Sequence, residues 1–242
     1  MSVALVLVSE KTRPSADFTS LPPLRGLISV GGIPAEDRIL RVLSTFSDLR
    51  QLLATTDEAA ARRVLRSSSR AKMVVGFSSP IELIRSALQD VPQEEIVLLL
   101  SGDLPFLERS EIENLLTRAR REKSLFVPIV ELGKLPGGVE KRNLAFKEGT
   151  YCPGLALAGS RGLLTEALFG KLESVLQSPL AILKQIGSRF LLKMLFVKPY
   201  LSEAEKLGSD FLGTELKLIP MPSAGFARNL SSTADLHAAG VP

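Results

Sequence analysis

Short unbroken apolar runs alternate with amphipathic stretches along the first half of this 242-residue chain. Val3–Val8, Met73–Val75, Ile96–Leu100 and Leu125–Val130 read as strands buried on both faces, since no polar residue breaks their alternation. Leu49–Ala54 reads as a strand or a helix, because Arg50 and Gln51 interrupt it. Between the runs, Ile39, Leu40, Val42 and Leu43 form one helical stripe. Ser79-Pro80-Ile81-Glu82 predicts a helix start, with a capping serine, proline at the first helical position and glutamate three residues after the cap. Ser110-Glu111-Ile112-Glu113 repeats that spacing ahead of Leu115 and Leu116. Strands alternating with helices predict βαβ units. The expected fold is therefore α/β, a three-layer, mostly parallel sheet of Rossmann-like type with helices on both faces.

After Pro128 the texture changes. Lys134–Val139 is turn-rich, and Lys141–Glu148 predicts a short strand of a small antiparallel element. Residues 160–212 read as mostly helical, with breaks at Gly170, Pro179, Gly187 and Pro199. Glu215–Ile219 reads as a late strand and Ser232–Ala239 as a short helix. The pattern predicts a single domain over residues 1–242, more helical from about 160. Ser9–Leu24 is long for a connection, and loops of that length tend to be functional.

Composition narrows the chemistry. The chain has one histidine (His237), one cysteine (Cys152) and no tryptophan. A structural zinc site needs about four Cys/His ligands, which excludes it. A disulfide within the chain is excluded too, which fits a reducing cytoplasm. Carboxylates, hydroxyls, backbone amides and a hard metal ion must carry any reaction. The net charge of +4 is spread along the chain, and no basic run has interleaved aromatics. The cluster from Arg118 to Lys123 reads as the solvated end of a helix, where cations complement the dipole, so no nucleic-acid partner is expected. No membrane association is expected either. Val3–Val8 lacks the basic start and small-residue cleavage site of a signal peptide, and Phe190–Val197 is far shorter than a span of roughly 20 residues.

In an open parallel sheet, ligands bind beyond the carboxyl ends of the strands. Ser101-Gly102-Asp103-Leu104-Pro105 follows one apolar run there. Asp103 is placed either to hold a divalent cation near phosphate oxygens or to make a turn by bonding backbone amides. Gly31-Gly32 reads as a turn more readily than as a close approach to a ligand, and Arg25 can reach a phosphate. His237 and Cys152 read as packing or surface residues, Leu191–Phe196 as core or a subunit contact, and Arg66–Arg70 as a polar loop.

Together the residues carry a resemblance. An apolar strand and a long loop precede Arg25 and Leu27-Ile28-Ser29-Val30-Gly31-Gly32-Ile33-Pro34; a helix, Gly102-Asp103-Leu104-Pro105-Phe106 and a late Asn229–Leu236 segment follow. This order resembles the nucleotidyltransferases related to molybdenum-cofactor guanylyltransferase, which share the nucleotide-sugar-transferase type of α/β fold. Residues 131–220 carry no match. The resemblance implies that a nucleoside triphosphate binds over the first loop with Mg²⁺, and that a phosphorylated or hydroxyl acceptor attacks the α-phosphorus. It implies Asp103 and Asn229 as metal ligands, with Asp103 and Arg25 catalytic and Arg25 in place of a phosphate-contacting lysine. Val8, Ser9, Lys11, Arg13, Arg25 and Gly102 would contact the nucleotide, and Ser78 and Ser79 its base or sugar.

The departures matter. The family's Leu-Ala-Gly-Gly becomes Leu7-Val8-Ser9-Glu10, removing glycines whose backbone amides pack on the triphosphate and adding a negative charge. Ser231 and Thr233 also depart from the family's late acidic motif. Two expectations follow: a transferase whose Lys11 and Arg13 compensate, or a catalytically degraded relative that acts as a binding or assembly partner. The base, the acceptor and the oligomeric state are not legible in the residues.

Overall fold

The structure is a computed structural model that describes residues 2–8, 22, 24–57, 71–76, 79–136, 143–177 and 197–241. Chain order begins with β1 (Ser2–Val8), the short strands β2 (Ser29–Val30) and β3 (Ile33–Pro34), α1 (Ala35–Ser44), β4 (Leu49–Thr55) and β5 (Ala71–Val75). Then come α2 (Pro80–Ala87), β6 (Ile96–Ser101), α3 (Arg109–Arg121) and β7 (Leu125–Glu131). The second half adds β8 (Leu144–Phe146), β9 (Gly149–Pro153), β10 (Ala156–Ser160) and α4 (Glu166–Gln177). It closes with α5 (Leu201–Leu212), β11 (Leu216–Pro220) and α6 (Thr233–Ala238).

The main sheet runs β5-β4-β1-β6-β10-β7-β9-β8, with β11 paired to β7. β5, β4, β1 and β6 are parallel neighbours, so their carboxyl ends share one edge of the sheet. β10 then runs antiparallel to β6, and β9 antiparallel to β7. The expected α/β architecture is present, as a mixed, mostly parallel sheet. The Leu49–Ala54 run is a strand: it lies between β1 and β5, where six of its seven residues are buried and backbone pairing on both sides overrides the interruption by Arg50 and Gln51. The hairpin β8–β9 is the antiparallel element expected near Lys141–Glu148.

Helices cover both faces. On one, Ile39, Leu40 and Leu43 of α1 and Ile112, Leu115 and Leu116 of α3 pack on alternate sheet residues Ala4, Val6, Leu98 and Leu100. On the other, Ile81 and Leu83 of α2 and Leu168 and Phe169 of α4 pack on Val3, Leu5, Leu52 and Val97. Side chains of a strand alternate between faces, so one apolar run feeds two cores.

Two local expectations need correction. α3 starts at Arg109 with Glu108 as its cap, not at Ser110: Glu111, three residues past Glu108, reaches back to accept from the Glu108 N–H at 2.9 Å. Gly170 does not break α4, because the apolar contacts of Leu168 and Phe169 outweigh the roughly 1 kcal/mol that an internal glycine costs. The other start signal holds: Ser79 Oγ accepts from the Ile81 N–H at 3.3 Å. Pro179, Gly187, Arg66–Arg70 and Leu191–Phe196 lie outside the described residues. Among the described residues no helix is long and apolar enough to cross a membrane.

Candidate functional site

β1 and β6 deliver their ends to the same place. The Gly102 N–H, just past β6, donates to Leu7 O at 2.8 Å, and a Cβ on Gly102 would lie 2.5 Å from Val8 Cγ2. Gly26 presses on the other methyl of Val8, where a Cβ would come within 2.9 Å. Val8 is thus a buried spacer between two glycines, and its carbonyl accepts from Thr55 Oγ1 at 2.9 Å. This close approach sets Arg25, next to Gly26, against Asp103, next to Gly102.

Asp103 is 1% exposed and held by three side chains. Ser101 Oγ donates to its Oδ1 at 2.5 Å. Arg25 Nη1 lies 3.3 Å from Oδ2, and Asn229 Nδ2 donates to Oδ2 at 3.3 Å. A buried carboxylate needs such partners, because desolvation of an unpaired charge costs several kcal/mol. Asn229 is held in turn: Ser231 Oγ lies 3.3 Å from Asn229 Oδ1 and 2.8 Å from Asp235 Oδ2. Asp235 also accepts from the Ser231 and Ser232 N–H groups at 3.1 and 2.9 Å and so completes the capping box of α6, whose cap is Ser232.

The structure therefore brings together Arg25, Gly102, Asp103 and Asn229. Val8 is adjacent, with its side chain packed inward. Ser79 is spent partly on capping α2, and Ser9, Lys11, Arg13 and Ser78 lie outside the described residues. Gly31 and Gly32 form the turn of the β2–β3 hairpin, with φ of 59° and 79°. Both are solvent-exposed. Cys152 is buried in the core, and His237 sits on the exposed side of α6. Ser101 and Asp235 were not among the expected site residues. The Ser232-x-x-Asp235 cap spacing could have signalled Asp235; nothing marks Ser101 before β6 and Asp103 are placed together.

A cavity of about 310 Å³ opens beside this cluster, with Arg25, Ser101 and Asn229 in its wall. Arg228 stacks 3.6 Å over the Phe106 ring, and burial holds its pKa below the usual arginine value. Elsewhere, Glu36 in the first turn of α1 is 2% exposed, and its Oε2 has no hydrogen-bond partner among the described residues. Burial pushes its pKa up to about 8; a bond to its own backbone opposes the rise, and the neighbouring Asp37 adds to it. Glu36 does not line the cavity.

Among the described residues no three His, Cys, Asp or Glu side chains are grouped to hold a metal. The donors at the cluster are one carboxylate, on Asp103, and one side-chain amide, on Asn229. Mg²⁺ accepts such a sparse set, because it keeps several waters and takes further oxygens from substrate phosphates. The residues fit a metal that arrives with a triphosphate. Asn229 would have to turn its amide over to present oxygen.

The sheet order is that of a mixed, mostly parallel α/β fold with its side-chain cluster at the strand ends. Solved structures share it over nearly their whole length. A hypothetical transferase from Thermus thermophilus superposes with a TM-score of 0.81 and 22% identity, covering 97% of this chain and 99% of that one. A 4-diphosphocytidyl-2C-methyl-D-erythritol synthase superposes at 0.63 with 12% identity, covering 98% and 95%. CMP:2-keto-3-deoxy-manno-octonic acid synthetase, solved with CTP, superposes at 0.52 with 16% identity, covering 91% and 89%. At these identities the likeness establishes the fold. No protein-family model and no curated protein matches the chain.

Proposed function

We propose that the chain acts as a single cytoplasmic domain that transfers a nucleoside monophosphate from a nucleoside triphosphate to a phosphorylated or hydroxyl acceptor, with Mg²⁺. The observation that carries this reading is the buried Asp103 carboxylate, gathered with Arg25 and Asn229 at the carboxyl ends of β1 and β6. In an open α/β sheet that edge is where ligands bind. In this reading an acceptor oxygen bonds to the α-phosphorus as the bond to the bridging oxygen breaks, and pyrophosphate leaves with the electron pair. Such transfer rests on positioning and on neutralising charge, so it needs neither the one histidine nor the one cysteine.

Asp103 and Asn229 would hold Mg²⁺, which when bound supplies charge neutralisation on the phosphate oxygens. Arg25 would contact the α-phosphate, which its guanidinium can grip in bidentate fashion. Val8, Ser9, Lys11, Arg13 and Gly102 would border the triphosphate, with Ser78 and Ser79 near base or sugar. The residues do not select among the four bases, and one structural neighbour was solved with CTP.

Calorimetry with GTP, CTP, ATP and UTP, with and without Mg²⁺, tests the reading. One of the four is expected to bind below millimolar concentration in a Mg²⁺-dependent way, and Asp103→Asn is expected to abolish the dependence. Absence of binding by all four would leave a chain that keeps the fold as a binding or assembly partner.

A further inference from the structure

We infer that the acceptor is a small phosphorylated molecule with a compact apolar body, seated in the cavity between β1, β6, β10 and α2 with its polar end at Arg25 and Asn229. The inference rests on the transferase reading and adds the acceptor's chemical class.

Position comes first. Leu5 and Leu7 of β1, Leu99 of β6, Leu157 of β10 and Ile84 of α2 line the cavity. Its polar lining residues, Arg25, Ser101 and Asn229, belong to the cluster around Asp103 at the strand edge, where an acceptor must stand to reach a phosphorus held there. Leu155, 39% exposed, also lines it.

The walls decide what can occupy it. β1, β6 and β10 are adjacent, with Leu5 registered against Leu99 and Leu99 against Leu157. Their backbone donors and acceptors are consumed in the ladders, and the Ser101 N–H donates to Leu155 O at 3.1 Å. Ser101 Oγ is committed to Asp103. A nucleobase is read through polar edges, and these walls present none; a hydrocarbon surface needs none. The polar groups stand together at one end, where the Arg25 cation complements a phosphate. A volume of about 310 Å³ is at the lower end of small-molecule pockets. It suits a short branched chain or one ring system better than the paired acyl chains of a membrane lipid.

The test uses the purified full chain and the n-alkyl phosphates methyl, butyl and hexyl phosphate, at submicellar concentrations in a calorimeter. Each added methylene is expected to tighten binding about fourfold, so hexyl should exceed butyl phosphate by more than tenfold. n-Hexanol is expected to bind more weakly than hexyl phosphate. Ile84→Trp fills the cavity and is expected to flatten the series; Ile84→Gln, which keeps the helix, is expected to shallow it. Equal affinities across the series, or the parent slope retained in both variants, would overturn the inference. Sedimentation of the chain with phosphatidic acid vesicles would overturn the small-molecule assignment. Nucleotide titration separates the two claims. A flat alkyl series with nucleotide bound removes the apolar acceptor alone; a steep series with no nucleotide bound removes the transferase reading, and with it the acceptor role.

Discussion

Asn229 Nδ2 meets Asp103 Oδ2 at 3.3 Å, joining two residues 126 positions apart in a buried contact. The late segment after β11 returns to the sheet edge and closes over the residue that follows β6. Asn229 is fixed there by Ser231, and Ser231 by Asp235, so the geometry at Asp103 depends on how α6 is capped.

Asp235→Ala should therefore act at two levels. Loss of the cap and of the Ser231 and Ser232 contacts should cost about 1–2 kcal/mol of stability in chemical denaturation. Hydrogen exchange of the Asn229 side-chain amide, followed by NMR, should accelerate. Lost stability with unchanged exchange at Asn229 would show that the network stops at Ser231.

Gly102→Ala should destabilise the chain by about 1–3 kcal/mol, because its methyl would strike Val8 and the Leu7 carbonyl in a closely packed core. Gly133→Ala, where a Cβ meets nothing within 4 Å, is the control and should change stability by less than about 0.5 kcal/mol. Equal effects at the two glycines would remove the steric account of how β1 and β6 converge.

Glu36 predicts a pH dependence of a definite sign. Its folded pKa of about 8 lies above the ordinary 4.5, so between these values the unfolded chain has released a proton that the folded chain keeps. Stability should then fall as pH rises from about 4.5 to about 8, by at most about 1.4 kcal/mol per pH unit from this group. Glu36→Gln should match the parent near pH 5 and exceed it by about 2–4 kcal/mol near pH 8 in urea denaturation. Parallel pH profiles for the two proteins would remove Glu36 as the source.

On the resemblance read from the sequence, Ser9 and Glu10 stand in place of two glycines of the molybdenum-cofactor guanylyltransferase family. Restoring glycine at both should tighten triphosphate binding about fivefold, since one like charge about 4 Å from a phosphate repels by roughly 1 kcal/mol in water. Calorimetry of the double variant against the parent measures this. Weaker or equal binding would contradict the reading of Ser9-Glu10 as an eroded phosphate loop.

The strands and most helices were legible because a buried strand must be apolar throughout and a helix start must satisfy its own N–H groups. The Leu49–Ala54 run stayed ambiguous because its two polar residues speak against a buried strand, whereas pairing on both sides decides the matter only in three dimensions. The reversal of β10 was not legible: Ala156–Ser160 is short and rich in small residues, and its direction is set by the hairpin before it. Motif order pointed to Arg25, to Gly102-Asp103 and to Asn229, three separate stretches of sequence whose side chains meet in the structure. Ser101 was missed because a serine that ends a strand looks like any other until a carboxylate is placed beside it.

The contact between Asp103 and Asn229 also sets an order of events during synthesis. Chains emerge amino end first, and β1, β4 and β6 can pair before the last helix exists. Until Asn229 arrives, the Asp103 carboxylate lacks one of its donors and the edge of the sheet stays open. A ribosome-bound chain, or one cut short before Asn229, would carry the sheet without a finished pocket. In the proposed reading, competence to bind would follow the docking of the segment after β11 onto the end of β6.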